Sequence, residues 1–267
     1  MKGYHPKKRL GQNFLKSDDI IANIIQSLEP EENDTIVEIG PGRGSLTLPL
    51  AETGAFIYAI EFDKDVIGYL NKLLRKFINV KIINRDFLSF NPNELQLKKF
   101  KIIGNLPFNI TSSVIEWITS HHDNIILAVL MVQKEMAERI AAVPWTKNWS
   151  PISIFTQMAF EVKLCFDISP KYFQPPPKVT SSLISLRPKD RELIDNFDVF
   201  EKIVKASFKQ RRKLLVNNLK DGIIKDQKSV NEILEKTGLP LNCRAEQLTI
   251  DDFLKLTSII DSYNITL

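Results

Sequence analysis

Long apolar segments are absent from this chain of 267 residues. Its longest apolar run, 125–132, is far shorter than the about 20 residues that a membrane-spanning helix needs. No apolar stretch follows the basic start M-K-G-Y-H-P-K-K-R, so a secretory leader is not expected. The sequence therefore predicts a protein without membrane attachment and a cytoplasmic location.

Cysteine and histidine are also scarce, with two and three residues respectively. Cys165 and Cys243 lie far apart, and neither belongs to a C-x-x-C pair. This spacing argues against a disulfide framework and against a structural zinc site, so no metal is expected. Two isolated thiols are typical of a protein from a reducing compartment.

Acidic residues are missing from two segments, although the net charge of the whole chain is only +4. The basic residues of segments 1–17 and 202–220 are Lys2, Lys7, Lys8, Arg9, Lys16, Lys202, Lys205, Lys209, Arg211, Arg212, Lys213 and Lys220. The second segment has a helical pattern, and exposed helices usually mix charges at i, i+4 spacing. The pattern favours contact with nucleic acid over a merely solvated helix face.

Short β-branched runs alternate with helical patterns through the first two thirds of the chain. Strands are predicted at 35–40, 56–61, 80–86, 101–105, 125–132 and 181–186, with helices at 45–53, 64–76 and 111–121 between them. This order predicts parallel βαβ units and a doubly wound α/β sheet. From about residue 196 the pattern is helical. We expect a domain over 1–190, with 1–16 as a basic arm, and a small helical domain over 191–267.

A glycine-rich turn follows the first of these strands, in V-E-I-G-P-G-R-G (37–44). Its spacing, G-x-G-x-G, lets the backbone pass close to a ligand at the carboxyl end of the sheet. Glu61 and Asp86 end the next two strands, where one acid can bind a ribose diol and the other an adenine edge. Each feature alone also fits a tight turn or a helix cap, and that alternative stays open.

The most informative stretch is G-N-L-P-F-N-I (104–110), at the end of the fourth strand. An exocyclic amine of a nucleobase is a poor nucleophile because its lone pair is delocalised into the ring. The side-chain oxygen of Asn105 and a neighbouring backbone carbonyl could accept hydrogens from such an amine and favour its pyramidal form. Pro107 stiffens the turn, and the ring of Phe108 could stack on the base.

Motifs along nearly the whole chain resemble the ribosomal RNA adenine N6,N6-dimethyltransferases, specifically their small-subunit, kasugamycin-sensitivity branch. The matching segments are K-R-L-G-Q-N-F-L (8–15), V-E-I-G-P-G-R-G-S-L-T (37–47), I-E-F-D (60–63), D-F-L (86–88), G-N-L-P-F-N-I (104–110), Q-K-E-M-A-E-R (133–139), F-Q-P-P-P-K-V-T-S (173–181), F-K-Q-R-R-K-L-L-V-N-N-L (208–219) and R-A-E-Q-L (244–248).

This resemblance implies a Rossmann-like, S-adenosylmethionine-dependent methyltransferase sheet followed by a small all-helical domain that binds RNA. The implied cofactor contacts are Asn13, Leu15, Gly40, Glu61, Asp86 and Asn105. The implied catalytic residues are Asn105, Leu106 through its carbonyl, Pro107 and Phe108. The candidates for stacking on the target base are Phe108 and Phe173, with burial in the core as the alternative for Phe173. The expected RNA contacts are Lys7, Lys8, Arg9, Lys209, Arg211, Arg212 and Lys213.

The substrate that the resemblance implies is a pair of adjacent adenosines in the 3′-terminal hairpin loop of small-subunit rRNA. Each adenosine receives two methyl groups, and a monomeric enzyme is expected to act on the immature small ribosomal subunit. Two alternatives stay open: a large-subunit dimethyltransferase of the macrolide-resistance type, and a mainly non-catalytic assembly factor. Leu106 and the segment 244–248 favour the small-subunit branch, since the large-subunit branch usually reads N-I-P.

Two positions depart from the family pattern. Phe108 stands where tyrosine is commoner, so stacking has to suffice without a phenolic hydroxyl. The segment 141–151 lacks the Tyr-Gly pair that is usual after this loop and has Trp149-Ser150 instead. For the side chains of Trp145 and Trp149, stacking on RNA and burial are both open.

Overall fold

The computed structural model describes residues 13–190 and 196–263. Its strands are β1 (Phe14–Leu15), β2 (Thr35–Ile39), β3 (Phe56–Glu61), β4 (Val80–Asn84), β5 (Phe100–Asn105), β6 (Ile125–Gln133), β7 (Phe160–Ile168), β8 (Phe173–Gln174) and β9 (Ser181–Pro188). Its α-helices are α1 (Asp18–Leu28), α2 (Thr47–Ala51), α3 (Lys64–Leu73), α4 (Thr111–Ser120), α5 (Lys134–Ile140), α6 (Pro151–Ala159), α7 (Phe197–Ser207), α8 (Leu215–Gly222), α9 (Gln227–Thr237) and α10 (Ile250–Ser262). None of the helices in these two ranges has the length and apolar character needed to cross a membrane.

Seven strands form one sheet in the order β4-β3-β2-β5-β6-β9-β7. The first five in this order are parallel, as the sequence pattern predicts. β9 runs antiparallel to both β6 and β7, so this edge of the sheet is not built from the predicted parallel βαβ units. Strand order reverses between β2 and β5, and α/β proteins bind their ligands at the carboxyl ends of strands at such a reversal.

A separate two-stranded ribbon joins β1 to β8 in antiparallel pairing. Phe14 lies opposite Gln174 and Leu15 opposite Phe173. The amide of Lys16 extends the ribbon by donating to the Tyr172 carbonyl over 3.0 Å. The ribbon therefore brings N-F-L (13–15) and the proline-rich motif F-Q-P-P-P together.

The sheet and α1 share an apolar core. α1 buries Ile24 and Leu28, which are one helical turn apart, in a cluster that also contains Ile36, Ile57 and Val129. Burying a side chain of this size stabilises the fold by about 1.5–3 kcal/mol. This core holds the strands in register and so fixes where their carboxyl ends meet.

The described residues divide into two compact units, one within 1–138 and 160–189 and the other within 139–159 and 190–267. The second unit contains α6 as well as α7–α10, which differs from the expected division into 1–190 and 191–267. The physical reason is the apolar core of this unit, which Trp149, Ile154 and Met158 share with the C-terminal helices. The Trp149 indole N–H also donates to the Leu248 carbonyl over 2.9 Å.

A buried ion pair supports the start of β5. The Lys101 ammonium lies 2.7 Å from an Asp34 carboxylate oxygen, and their side chains are only 8% and 12% exposed. The same ammonium donates to the Glu29 carbonyl. Removing one partner of such a pair leaves a desolvated charge without compensation.

We expect Lys101→Met to lower the free energy of unfolding by about 3–5 kcal/mol, because Asp34 would remain buried without its cation. Urea denaturation of the purified protein measures the effect. Arg187→Met is the matched control, since the Arg187–Glu29 pair is 51% and 63% exposed and such a pair contributes about 0–1 kcal/mol. Equal losses in the two variants would contradict this interpretation.

Candidate active site

The carboxyl ends of β2, β3 and β5 open into one cavity of about 270 Å³ within the first unit. Its lining combines glycine backbone, three carboxylates, three asparagines and aromatic rings. Residues of this lining include Asn13, Leu15, Glu38, Gly40, Gly42, Ser45, Glu61, Phe62, Asp86, Asn105, Leu106, Pro107, Phe108 and Phe173. The structure thus gathers in one place all the cofactor-binding and catalytic candidates that the sequence predicts.

The glycine-rich turn lines this cavity in a backbone conformation that residues with side chains disfavour. Gly40 and Gly42 have φ angles of +64° and +54°, in the left-handed region that glycine adopts without cost. A Cβ atom on Gly42 would lie 2.8 Å from a ring carbon of Phe14. Gly42 is therefore required both by its backbone angle and by the close approach of β1.

Glu61 is anchored to this turn at the end of β3. Its Oε2 accepts from the Gly42 amide over 3.1 Å, and its Oε1 accepts from the Asp63 amide over 2.8 Å. The side chain is only 5% exposed. Burial raises the pKa of this carboxyl, while the amides of Asp63 and Gly42 favour the charged form and oppose the rise.

Asp86 both caps a turn and lines the cavity. Its Oδ1 accepts from the Leu88 amide over 3.0 Å, at the start of the 3₁₀ turn Phe87–Ser89. The cap and the ligand-binding interpretation are therefore compatible, because the second carboxylate oxygen is not used by the cap.

Asn105 ends β5 with its amide group fixed by the N-terminal segment. Its Nδ2 donates to the Asn13 carbonyl over 2.8 Å. Because the donor side of the carboxamide is engaged, the oxygen Oδ1 is the atom that can accept from a ligand in the cavity. The sequence gives no sign of this bond, since Asn13 and Asn105 are far apart along the chain.

The turn after Asn105 is held by backbone bonds. The Leu106 amide donates to the Met131 carbonyl over 3.0 Å, and the Pro107 carbonyl accepts from the Ile110 amide and the Thr111 hydroxyl. Phe108 is 36% exposed at this turn, whereas Phe173 is 2% exposed. Phe173 belongs to the apolar core and also lines the cavity, so the two interpretations of this residue are not exclusive.

Leu15 is tied to the turn that follows the glycines. The Ser45 hydroxyl donates to the Leu15 carbonyl over 3.0 Å. Together with the bond from Asn105 to the Asn13 carbonyl, this contact fixes the backbone of β1 against the cavity.

Glu38 and Phe62 are two of the lining residues that sequence reasoning did not single out. Glu38 lies within β2, and a carboxylate in an otherwise apolar strand was an available signal. It is 2% exposed, and its Oε2 has no hydrogen-bond partner among residues 13–190 and 196–263. Burial raises its pKa to about 8; the neighbouring Thr47 hydroxyl opposes the rise and the Glu61 charge adds to it. Phe62, directly after Glu61, is 63% exposed beside the cavity.

The basic segment of the second unit differs from its prediction. α7 ends at Ser207 and α8 begins at Leu215, so Lys209, Arg211, Arg212 and Lys213 lie on the connection and not on one long helix. Acids from outside the segment pair with three of its cations, in the pairs Lys205–Glu201, Arg211–Glu246 and Lys213–Asp221. The local charge is thus lower than the sequence suggests. Lys7, Lys8 and Arg9 lie outside the described residues.

Sheet and cavity together define a class, the Rossmann-like methyltransferases with a helical C-terminal region, to which the similar solved structures belong. The profile of the family "Ribosomal RNA adenine dimethylase" matches residues 4–262, and the chain belongs to this family. The predicted fold class and family are confirmed.

Individual relatives agree with this assignment. A protein of Francisella tularensis subsp. tularensis named "Ribosomal RNA small subunit methyltransferase A" is 40% identical over 260 residues, 95% of this chain and 97% of that protein. A dimethyladenosine transferase from Plasmodium falciparum superimposes with a TM-score of 0.84 at 26% identity, covering 94% of this chain and 98% of its own. The 23S rRNA methyltransferase ErmE gives a TM-score of 0.72 at 25% identity, covering 93% and 100%.

The buried carboxyl of Glu38 predicts a pH-dependent stability of the free protein. With a pKa raised from 4.5 to about 8, the folded state holds a proton that the unfolded state releases. The stabilisation of the folded state by this bound proton is complete below pH 4.5 and is lost as the pH rises to about 8. Over this range wild type should lose stability relative to Glu38→Gln, by at most about 1.4 kcal/mol per pH unit.

Urea denaturation of both proteins measures this difference. The pH should run from roughly 5 to 9, because the folded and unfolded states bind different numbers of protons over most of this range. Glu161→Gln, an exposed position on β7, is the matched control. Parallel stability curves for wild type and Glu38→Gln would show that Glu38 does not titrate as described.

Proposed function

We propose that this protein transfers methyl groups from S-adenosylmethionine to N6 of two adjacent adenosines in the 3′-terminal hairpin loop of small-subunit rRNA. The observation that carries the proposal is the convergence of Asn105, Phe108, Glu61 and Asp86 on one cavity in a chain of this family. The proposed substrate particle is the immature small ribosomal subunit. The enzyme is proposed to act as a monomer in the cytoplasm.

The lining fits S-adenosylmethionine in the chemistry of its groups. Glu61 would bind the ribose hydroxyls and Asp86 the adenine edge. The backbone of Asn13, Leu15 and Gly40 would contact the ligand. The buried Oε2 of Glu38, which has no partner in the described ranges, suits the ammonium group of the amino-acid part. When bound, the cofactor supplies an electrophilic methyl group on a sulfonium.

The motif 104–110 would prepare the target amine. Its delocalised lone pair becomes available when the two N–H groups are held by acceptors out of the ring plane. Asn105 Oδ1 is one acceptor, because its Nδ2 already donates to the Asn13 carbonyl. The Leu106 carbonyl is the other, since the Pro107 carbonyl is already used by Ile110 and Thr111.

Stacking would hold the extruded base during transfer. Phe108, partly exposed at the cavity, supplies one face, and a stacked base gains about 1–3 kcal/mol. Phe173 is proposed as the second wall, from its place in the lining. Extruding a base from an RNA loop costs less than from a duplex, which favours a hairpin-loop substrate.

The basic residues are proposed to hold the RNA backbone. Lys209, Arg211, Arg212 and Lys213 form a turn of the second unit, and Lys7, Lys8 and Arg9 would contribute from the N-terminal arm. Such contacts give affinity that falls with salt, because phosphate neutralisation releases counterions.

The proposal is tested by methyl transfer from labelled S-adenosylmethionine to undermethylated small subunits and, in parallel, to large subunits. We expect N6,N6-dimethyladenosine from the small subunit alone, identified by mass spectrometry of the nucleosides. The same product from the large subunit would assign the protein to the macrolide-resistance branch. Absence of product with intact RNA binding would favour an assembly factor.

Asn105→Ala should reduce methyl transfer at least about a hundredfold, because it removes the acceptor at the reacting amine. RNA binding, measured by filter retention, should stay near that of wild type. Asn93→Ala is the matched control, an exposed asparagine in the 3₁₀ turn Pro92–Leu95. Turnover within tenfold of wild type would exclude the proposed role of Asn105 (an energy difference of about 1.4 kcal/mol).

A further inference from the structure

Trp145, in the loop that precedes α6, is exposed and held in an unfavourable backbone conformation. It is 73% exposed, and among the large apolar side chains of the described ranges only Ile78 is more exposed. Its φ angle of +70° lies in the left-handed region, which bulky residues rarely adopt. Core packing does not explain this residue, and strained residues of this kind concentrate at functional sites.

The loop around Trp145 is nevertheless well fixed within the second unit. The Trp145 amide donates to the Glu246 carbonyl over 2.7 Å. On either side, the Thr146 hydroxyl donates to the Val143 carbonyl over 2.7 Å, and the indole of buried Trp149 donates to Leu248. The exposed indole is therefore presented by a rigid support, which reduces the entropy lost when it binds a ligand.

A cation of the basic turn contacts this loop. The Arg211 guanidinium donates to the Lys147 carbonyl and lies 3.7 Å from the carboxylate of Glu246, the acid that faces the loop. Arg211 thereby joins the basic turn 209–213 to the loop that carries Trp145. Exposed Lys147 and Arg212 form no ion pair with any residue in 13–190 or 196–263, so their charge is available to an anion.

We propose that Trp145 is a stacking platform for an unpaired base of the RNA substrate, with Lys147 and Arg212 binding the adjacent phosphates. An exposed aromatic ring beside cations is the combination that binds single-stranded nucleic acid. A duplex keeps its bases stacked inside and offers the indole no free base. The inference rests on the proposed function and adds to it a contact within the second unit.

The test compares Trp145→Gly with wild type on two RNAs: a stem-loop with an adenine-rich tetraloop, and a blunt duplex with the sequence of its stem. Glycine accepts the left-handed backbone and keeps the amide that donates to Glu246, so thermal stability should be unchanged or higher. Affinity for the stem-loop should fall about five- to a hundredfold, as expected for a lost stacked base. Affinity for the duplex should not change.

Salt dependence separates stacking from charge. Trp145→Gly should leave the slope of log K against log[salt] unaltered, whereas Arg212→Ala should weaken binding to both RNAs and lower the slope by about one. Trp145→Phe should restore most of the stem-loop affinity. Ile78→Ala is the matched control for losing an exposed apolar side chain and should bind both RNAs like wild type.

Intrinsic fluorescence gives a second readout, because Trp117 and Trp149 are only 8% and 1% exposed. The stem-loop should quench the emission of wild type and leave that of Trp145→Phe nearly unchanged.

The inference would be overturned if Trp145→Gly bound the stem-loop with the affinity of wild type, or if it lost equal affinity for both RNAs. If wild type still methylates small subunits in that case, the proposed function stands. If wild type binds neither RNA, this inference fails. The proposed function is then judged separately, by whether wild type transfers methyl groups to ribosomal subunits.

Discussion

The hydrogen bond from the Gly42 amide to the buried carboxylate of Glu61 joins two neighbouring strand ends, and the site depends on it. It requires the backbone to turn back over the end of β2 with positive φ at Gly40 and Gly42. In that conformation Phe14 packs against Gly42, where a Cβ atom would collide with its ring. β1 then lies where the Asn13 carbonyl can orient the Asn105 amide. One backbone turn thus sets the geometry of both the cofactor side and the amine side of the cavity.

The parts of the site that could be predicted from sequence are those at the ends of strands. Glu61, Asp86 and Asn105 each follow an apolar run, and parallel strands gather such residues at one edge. Glu38 was missed because it lies inside a strand, where a carboxylate is usually excluded. The bond between Asn13 and Asn105 was also missed, since it depends on pairing of β1 with β8, and strands of two residues leave no periodicity.

Prediction from sequence is limited in a similar way for the second unit. Its helices could be predicted from their apolar spacing, but the inclusion of 139–159 could not, because it depends on contacts with residues about a hundred positions away, such as that of Trp149 with Leu248. β7 was missed because its side chains do not alternate regularly and its register shifts between Leu164 and Phe166. Glu246 and Asp221 form ion pairs with Arg211 and Lys213 and so offset part of the positive charge of the basic segment. No local sequence pattern predicts these pairs.

The ribbon of β1 and β8 has a consequence for how the protein is made. Leu15 leaves the ribosome early in synthesis, whereas Phe173, its partner in the ribbon, is added much later. Until then β1 has no strand to pair with, although the parallel strands β2 to β6 are already synthesised. A nascent chain therefore completes its ligand cavity only after the proline-rich segment has emerged. Binding competence is acquired late in translation, when most of the sheet already exists.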